Sequence, residues 1–143
     1  MLLVGLCCLG LLVATTVIHY EALRGLGAVL PLVRIRPRAK LILVIITMFL
    51  AHVVEICLYA ATLYGLVHFA HLGSLQEPDN FSWATSLYFS AETYTSVGYG
   101  DVVPTGAVRL LAGAEALNGL LLIGWSASYA YIAMERFWQG TEP

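Results

Sequence analysis

The most obvious shortage in this sequence is charge. Seven Lys and Arg and nine Asp and Glu are all that 143 residues carry, 11% of the chain, against 59% hydrophobic residues. A soluble domain is usually about a quarter charged and about 45–50% apolar. So few charges do not cover a water-facing surface, and a mean hydropathy of +0.81 makes lipid the solvent for most of the chain. The near balance of signs leaves no basic field for nucleic acid. Cysteine is scarce as well: Cys7, Cys8 and Cys57 lie in apolar runs without metal-ligand or redox spacing, which excludes a disulfide scaffold and leaves them as small apolar residues. Internal repeats, low-complexity runs and linkers are missing, and the length allows one domain.

What is present is long apolar stretches. Residues 1–18 carry no charged side chain, 41–70 are interrupted only by His52, Glu55 and His68, and 107–133 only by Arg109, Glu115 and Asn118. A membrane span needs about 20 residues at about 1.5 Å rise each, so all three qualify. A fourth stretch, Phe81 to Tyr94, is too short, and Pro78, Asp79, Asn80 and Ser82 ahead of it supply loop and helix-start chemistry. It reads as a re-entrant helix. Irregular backbone at that depth survives only inside protein or along a watery cavity, which points to a pore.

Arg24, Arg34, Arg36, Arg38 and Lys40 separate the first two spans and Arg136 follows the third, whereas loop 71–82 carries Glu77 and Asp79 and no base. The positive-inside rule places residues 20–40 and the C-terminus in the cytoplasm and the N-terminus outside. Residues 1–19 then form a retained helix rather than a cleaved leader, because Met1–Cys8 has no base and Thr16–Tyr20 is a poor cleavage site. Residues 20–40 read as a short interfacial helix and an extended basic stretch suited to anionic headgroups at Arg34, Arg36, Arg38 and Lys40. Residues 137–143 form a cytoplasmic tail, with Trp83 at the outer interface and Phe137 and Trp138 at the inner one. The arginines spaced by two among prolines do not make a voltage-sensing stripe, and seven residues after Arg136 hold no ligand-binding domain.

The chemistry concentrates in Glu92-Thr93-Tyr94-Thr95-Ser96-Val97-Gly98-Tyr99-Gly100-Asp101. A dehydrated cation needs its lost waters replaced by oxygens, and backbone carbonyls are the densest supply. Turning successive carbonyls to one side requires alternating ordinary and left-handed torsions, and glycine takes the left-handed ones without penalty. Gly98 and Gly100 alternating with Val97 and Tyr99 fit that demand, and Ser96 adds a hydroxyl.

This segment resembles the selectivity filter of potassium channels, whose pattern is Thr-x-Gly-Tyr-Gly-Asp, and the resemblance extends over residues 41–136. It implies an all-α membrane protein with an outer helix, a re-entrant pore helix and filter, and an inner helix, here preceded by one additional helix. It further implies a homotetramer, because one chain supplies one filter strand and a cage around an ion needs several related by rotation. Thr95, Ser96, Val97, Gly98, Tyr99 and Gly100 become the filter, with K⁺ held at Ser96, Val97, Gly98 and Tyr99 and no cofactor. Glu92 and Asp101 match a carboxylate pair that shares a proton behind the filter, or else are two solvated carboxylates at the outer mouth. Arg109 matches a basic residue opening the inner helix. Gly119 and Gly124 match small positions of that helix, as a hinge or as close packing. Leu120, Ile123, Ala127 and Tyr131 share one helix face that lines the cavity and gate on the family pattern, or else a helix seam. Two departures are Ser96, where Thr is usual and a rotamer-restricting β-branch is lost, and Tyr94, bulkier than the small residue often found there. Potassium selectivity is expected, the alternatives being a less selective cation channel or a subunit co-assembling with another pore protein.

The remaining ionisable residues in the spans are His52 and Glu55, and Glu115 and the nearby Asn118, each pair one turn apart. They read either as functional groups or as satisfied polar contacts in the bundle, with Glu115 facing Thr93 or Ser90. His68 and His71 offer two metal ligands without a third. An intramembrane hydrolase built on His52 and Glu55 would need a His-Glu-x-x-His, a nucleophile elbow or paired aspartates, and the sequence has none of these. The chain is therefore read as a non-enzyme, and with no sensor domain visible the sequence does not name a gating stimulus.

Overall fold

The computed structural model describes residues 1–76 and 81–139, with side chains to Arg136. In chain order it comprises α1 (Leu2–Val29), α2 (Pro37–His68), β1 (Gly73–Gln76), α3 (Trp83–Tyr94), β2 (Val103–Gly106) and α4 (Val108–Gln139). The architecture is that of an all-α membrane protein: α1, α2 and α4 are each long and apolar enough to cross a membrane.

The ends of these helices follow local chemistry. Pro37 occupies the start of α2, where its missing N–H costs nothing, and Arg36 before it is extended with ψ 145°. Ser82 caps α3, its hydroxyl accepting the Thr85 N–H at 3.2 Å. Helix α1 departs from the sequence expectation. It continues without a break to Val29 in place of a separate interfacial helix, and Arg38 and Lys40 stand on the first turn of α2 rather than on an extended stretch. The reason is tertiary: Leu23, Leu26 and Leu30 pack with Val44, Met48 and Ala133 in a second core cluster, and that burial overrides the helix-weakening Gly25 and Gly27. Glu77, Pro78, Asp79 and Asn80, and the side chains of Phe137 and Trp138, lie outside the described residues.

Cross-helix pairs fix the helix directions. His19 of α1 meets Glu55 of α2, and Thr15 is joined to Tyr59 through Asn118, in reverse order, while Thr15 and His19 meet Asn118 and Ser126 of α4 in the same order, so α1 runs antiparallel to α2 and parallel to α4. Asn118 ties all three, its amide donating to Thr15 Oγ1 at 2.7 Å and to the Tyr59 hydroxyl at 3.1 Å. The buried stripe of α1 is Val4, Leu11, Thr15, His19, Leu23 and Leu26, while Leu2, Leu6, Leu9 and Val13 face outward, the pattern of a helix with lipid on one side. The main core joins α1, α2, α3 and α4 around Tyr59, Leu63, Phe89, Tyr94 and Leu111.

The sequence does not announce β1 and β2. They pair antiparallel with Gly73 opposite Gly106 and clamp together the chain entering and leaving the α3 region. The crossing is so close that a Cβ on Gly73 would meet the Thr105 carbonyl oxygen at 2.3 Å, and Gly106 has φ +68°. Both positions demand glycine.

Candidate functional site: a carbonyl-lined strand at the end of a short helix

Helix α3 stops at Tyr94, and its last carbonyls anchor residues 96–98. The N–H of Ser96 donates to the Thr93 carbonyl at 3.0 Å, and those of Val97 and Gly98 donate to the Glu92 carbonyl at 2.9 and 3.3 Å. The next N–H, that of Tyr99, donates to the Glu92 carboxylate at 3.1 Å. Four successive amides are therefore committed to the helix. Among the described residues no hydrogen bond ends on the carbonyls of Ser96, Val97, Gly98 or Tyr99. Left-handed torsions alternate along the strand, with φ +58° at Ser96, +53° at Gly98 and +81° at Gly100. The strand turns its donors to the protein and leaves its acceptors for something else.

Glycine accounts for two of those torsions, but Ser96 is a non-glycine residue in the left-handed region, which is uncommon. A side chain without a β-branch suits such a backbone better than threonine would. Thr95, expected as a ligand, spends its hydroxyl on the Ala91 carbonyl at 2.7 Å. Residues 95–101 are exposed in the single chain, Tyr99 at 74%.

The carboxyl pair is seated differently from the expectation of a shared proton. Glu92 holds the Tyr99 amide, whereas Asp101 accepts from the Tyr88 hydroxyl at 3.0 and 3.2 Å and from the Val102 N–H at 3.1 Å. Among the described residues no hydrogen bond joins the two carboxyls, because each has a nearer donor. Tyr88, which the sequence did not single out, is the second tie between α3 and the strand. Glu92→Ala deletes a charge-assisted hydrogen bond worth about 1.5–3 kcal/mol, enough to change a two-state equilibrium of the strand by about ten- to a hundredfold. Single-channel recording should show shortened openings in Glu92→Ala and a smaller change in Glu92→Gln, which keeps an acceptor. Equal dwell times in all three proteins would remove Glu92 from this role.

Behind the strand lies α4. Leu120, Ile123, Ala127 and Tyr131 are all exposed in the single chain, on the face opposite buried Leu111, Glu115, Asn118, Leu122 and Ser126. Gly119 is where α4 touches α3: a Cβ there would lie 2.1 Å from the Tyr94 carbonyl oxygen. Of the two readings left open for Gly119, the structure supplies close packing. Gly124 has open space around it. Arg109, in the first turn of α4, is exposed. Glu115 is fully buried beside Ser90 of α3, and among the described residues both its carboxyl oxygens and Ser90 Oγ lack a hydrogen-bond partner.

His52 and Glu55 belong to a larger buried cluster than the sequence revealed. His19 Nδ1 lies 3.0 Å from Glu55 Oε1, His52 Nδ1 lies 3.1 Å from Glu55 Oε2, and the Tyr94 hydroxyl donates to Glu55. Ser126 Oγ stands between the two imidazoles. His19, Tyr94 and Ser126 come from three different helices, and the only advance signal was that each is polar within an apolar run. His68 stacks on Tyr64 with ring centroids 5.1 Å apart, and among the described residues no third ligand completes a set with it and His71.

The chain matches the ion-channel family over residues 41–136, from the start of the apolar part of α2 to Arg136 of α4. It is 50% identical over 46 residues to two-pore potassium channel 1 of Arabidopsis thaliana, which covers 32% of this chain and 13% of that protein. It is 57% identical over 37 residues to protein LctB of Bacillus caldotenax, covering 26% of this chain and 28% of the relative, and equally similar to protein LctB of Geobacillus stearothermophilus. The chain thus spans less than a third of the length of these curated relatives. No solved structure gives a significant match.

Proposed function

Because the chain belongs to the ion-channel family, we propose that it is a potassium-selective channel conducting passively through the Ser96–Gly100 strand of four assembled copies. The observation that carries this reading is the run of four carbonyls that accept no hydrogen bond among the described residues, at the end of a helix too short to span. Unpaired carbonyls at that depth are costly unless they meet water or an ion, and rings of carbonyls are how a cation's hydration shell is replaced. One strand cannot encircle an ion, and the exposed Val97 and Tyr99 give each copy a surface to present to others. The similarity to a protein named as a potassium channel supports K⁺ as the ion. Conduction of this kind uses no catalytic residue and no cofactor.

In the assembled channel, Leu120, Ile123, Ala127 and Tyr131 line the inner cavity, where an apolar ring gates by excluding water. The orientation that goes with it has the N-terminus outside and the C-terminus in the cytoplasm. Exposed Arg34, Arg36 and Arg38 then reach anionic headgroups, as do Lys40 and Arg136, which line a cavity of about 380 Å³ between α1, α2 and α4.

Purified protein in liposomes tests the reading. Potassium, and rubidium nearly as well, should carry flux that sodium does not, and light scattering in mild detergent should give a tetramer. Equal reversal behaviour for sodium and potassium would replace the proposal with a less selective cation channel. A conducting sample that is not tetrameric would overturn the assembly.

A further inference from the structure

The buried cluster at the middle of the bundle has a property that its hydrogen bonds alone do not satisfy. Ser126 Oγ lies 2.9 Å from His52 Nε2 and 3.1 Å from His19 Nε2. A hydroxyl has one proton and two acceptor lone pairs, so it can accept from two ring N–H groups but donate to only one. If both histidines are neutral and protonated on Nδ1, toward Glu55, then both Nε2 atoms are bare and one of them has no donor. If both are protonated on Nε2, Ser126 is satisfied, but two Nδ1 lone pairs face carboxylate oxygens at 3.0 and 3.1 Å. If they differ, with His52 bare at Nδ1, the single Tyr94 hydroxyl proton must serve both His52 Nδ1, at 2.9 Å, and Glu55. The remaining assignment turns a bare His19 Nδ1 on Glu55 with no other donor beside it. Every neutral assignment is one hydrogen-bond donor short, a deficit that one added positive centre makes good.

A cation on the Nδ1 side removes the conflict in one step. Both Nδ1 lone pairs and the Glu55 carboxylate then face it, both Nε2–H groups donate to Ser126, and the Tyr94 hydroxyl donates to Glu55. We propose that His19, His52 and Glu55 form a binding site for a divalent transition metal of the zinc type, with Ser126 and Tyr94 orienting the ligands.

Geometry and chemistry support a metal here. One ligand atom from each of the three residues lies within 4.8 Å of the others. Metal–ligand bonds of about 2.0–2.1 Å in a tetrahedron set donors about 3.3 Å apart, a few tenths of an ångström from the two imidazole–carboxylate distances of 3.0 and 3.1 Å. Imidazole and carboxylate together suit zinc and its neighbours rather than magnesium or calcium. His52 and Glu55 stand at i and i+3 on α2, a chelating pair of the kind found on helices that hold metals in bundle cores. Each ligating ring has its other nitrogen on a fixed polar partner, the outer-shell arrangement that holds metal-binding histidines in place. Glu55 and His19 are fully buried, and His52 keeps 17% of its side chain accessible.

The site would give α1 a purpose. His19 lies outside the matched segment 41–136, whereas His52 and Glu55 lie inside it. A bound metal straps the added helix to the outer helix, and through Tyr94 the strap reaches the residue immediately before the filter strand.

The experiment uses the full chain purified in detergent, treated with a chelator, dialysed against micromolar Zn²⁺ and assayed for bound metal. Parallel loading with Co²⁺ reads the coordination from its visible spectrum. The expected result is one metal per chain with the absorption of a tetrahedral nitrogen and oxygen site. His19→Gln should lose it, His68→Gln should keep it, and Ser126→Ala should keep the stoichiometry at about 10–100-fold lower affinity. Each variant is compared only at the parent's elution volume; should His19→Gln not reach it, the Ser126→Ala affinity decides. No zinc in the parent, or the same zinc affinity in the parent and the deciding variant, overturns the proposal and leaves a shared proton as the missing positive centre. Metal content is read without any flux measurement, so a channel that conducts potassium but binds no zinc overturns this inference alone.

Discussion

Gly119→Ala is expected to abolish potassium flux, although it adds a single methyl group. The added Cβ would fall 2.1 Å from the Tyr94 carbonyl oxygen and 2.9 Å from both the Tyr94 carbonyl carbon and Cγ. None of these atoms is the free end of a flexible chain. The carbonyl closes α3, and the ring is fully buried with its hydroxyl held by Glu55. Relief therefore requires α4 and the end of α3 to separate, and the residue displaced is the one that leads into Thr95 and the strand. Overpacking a filled interior costs about 1–3 kcal/mol per site, and the proposed tetramer would bear it four times. Gly124→Ala is the control, because nothing lies within 4 Å of a Cβ there. Flux assays on the two variants should show loss at 119 and near-parental activity at 124. Parental flux in Gly119→Ala, with only its gating altered, would restore the hinge reading of this glycine.

The contrast between these glycines also shows what a sequence can and cannot disclose. Spans, the short α3 and the strand are legible because each rests on a local property: run length, a capping serine, or glycines alternating with larger residues. Gly119 and Gly124 look alike in sequence, and only the path of α3 separates them. The cluster around Glu55 is hidden for the same reason, since His19 lies 36 residues before Glu55 and Ser126 lies 107 residues after His19. Strands of four residues, β1 and β2, carry too little pattern to be seen, and their pairing depends on two glycines that pass within van der Waals distance. The seating of Asp101 on Tyr88 shows a further limit. A resemblance can nominate a carboxylate, but the donor nearest to it is chosen by this chain's own side chains.

Gly98→Ala should also silence conduction, by a different physical route. Space is not the obstacle: a Cβ on Gly98 would have nothing within 4 Å in the single chain. The obstacle is torsional, because φ is +53°, where an L side chain crowds its own carbonyl. That costs about 1–2 kcal/mol per chain, or about 4–8 kcal/mol if all four strands must hold the conformation together. At 1.4 kcal/mol per decade the alternating state loses about three to six orders of magnitude in population. Relaxation swings the Gly98 peptide to an ordinary φ and takes a carbonyl out of the row. The N–H bonds of Ser96 and Val97 to α3 precede the altered residue and survive, so the fold and assembly should not change. Light scattering on Gly98→Ala should therefore match the parent while potassium flux falls to background. If the variant conducts potassium normally, the left-handed Gly98 is not the conducting conformation, and the carbonyl row cannot be the ion path.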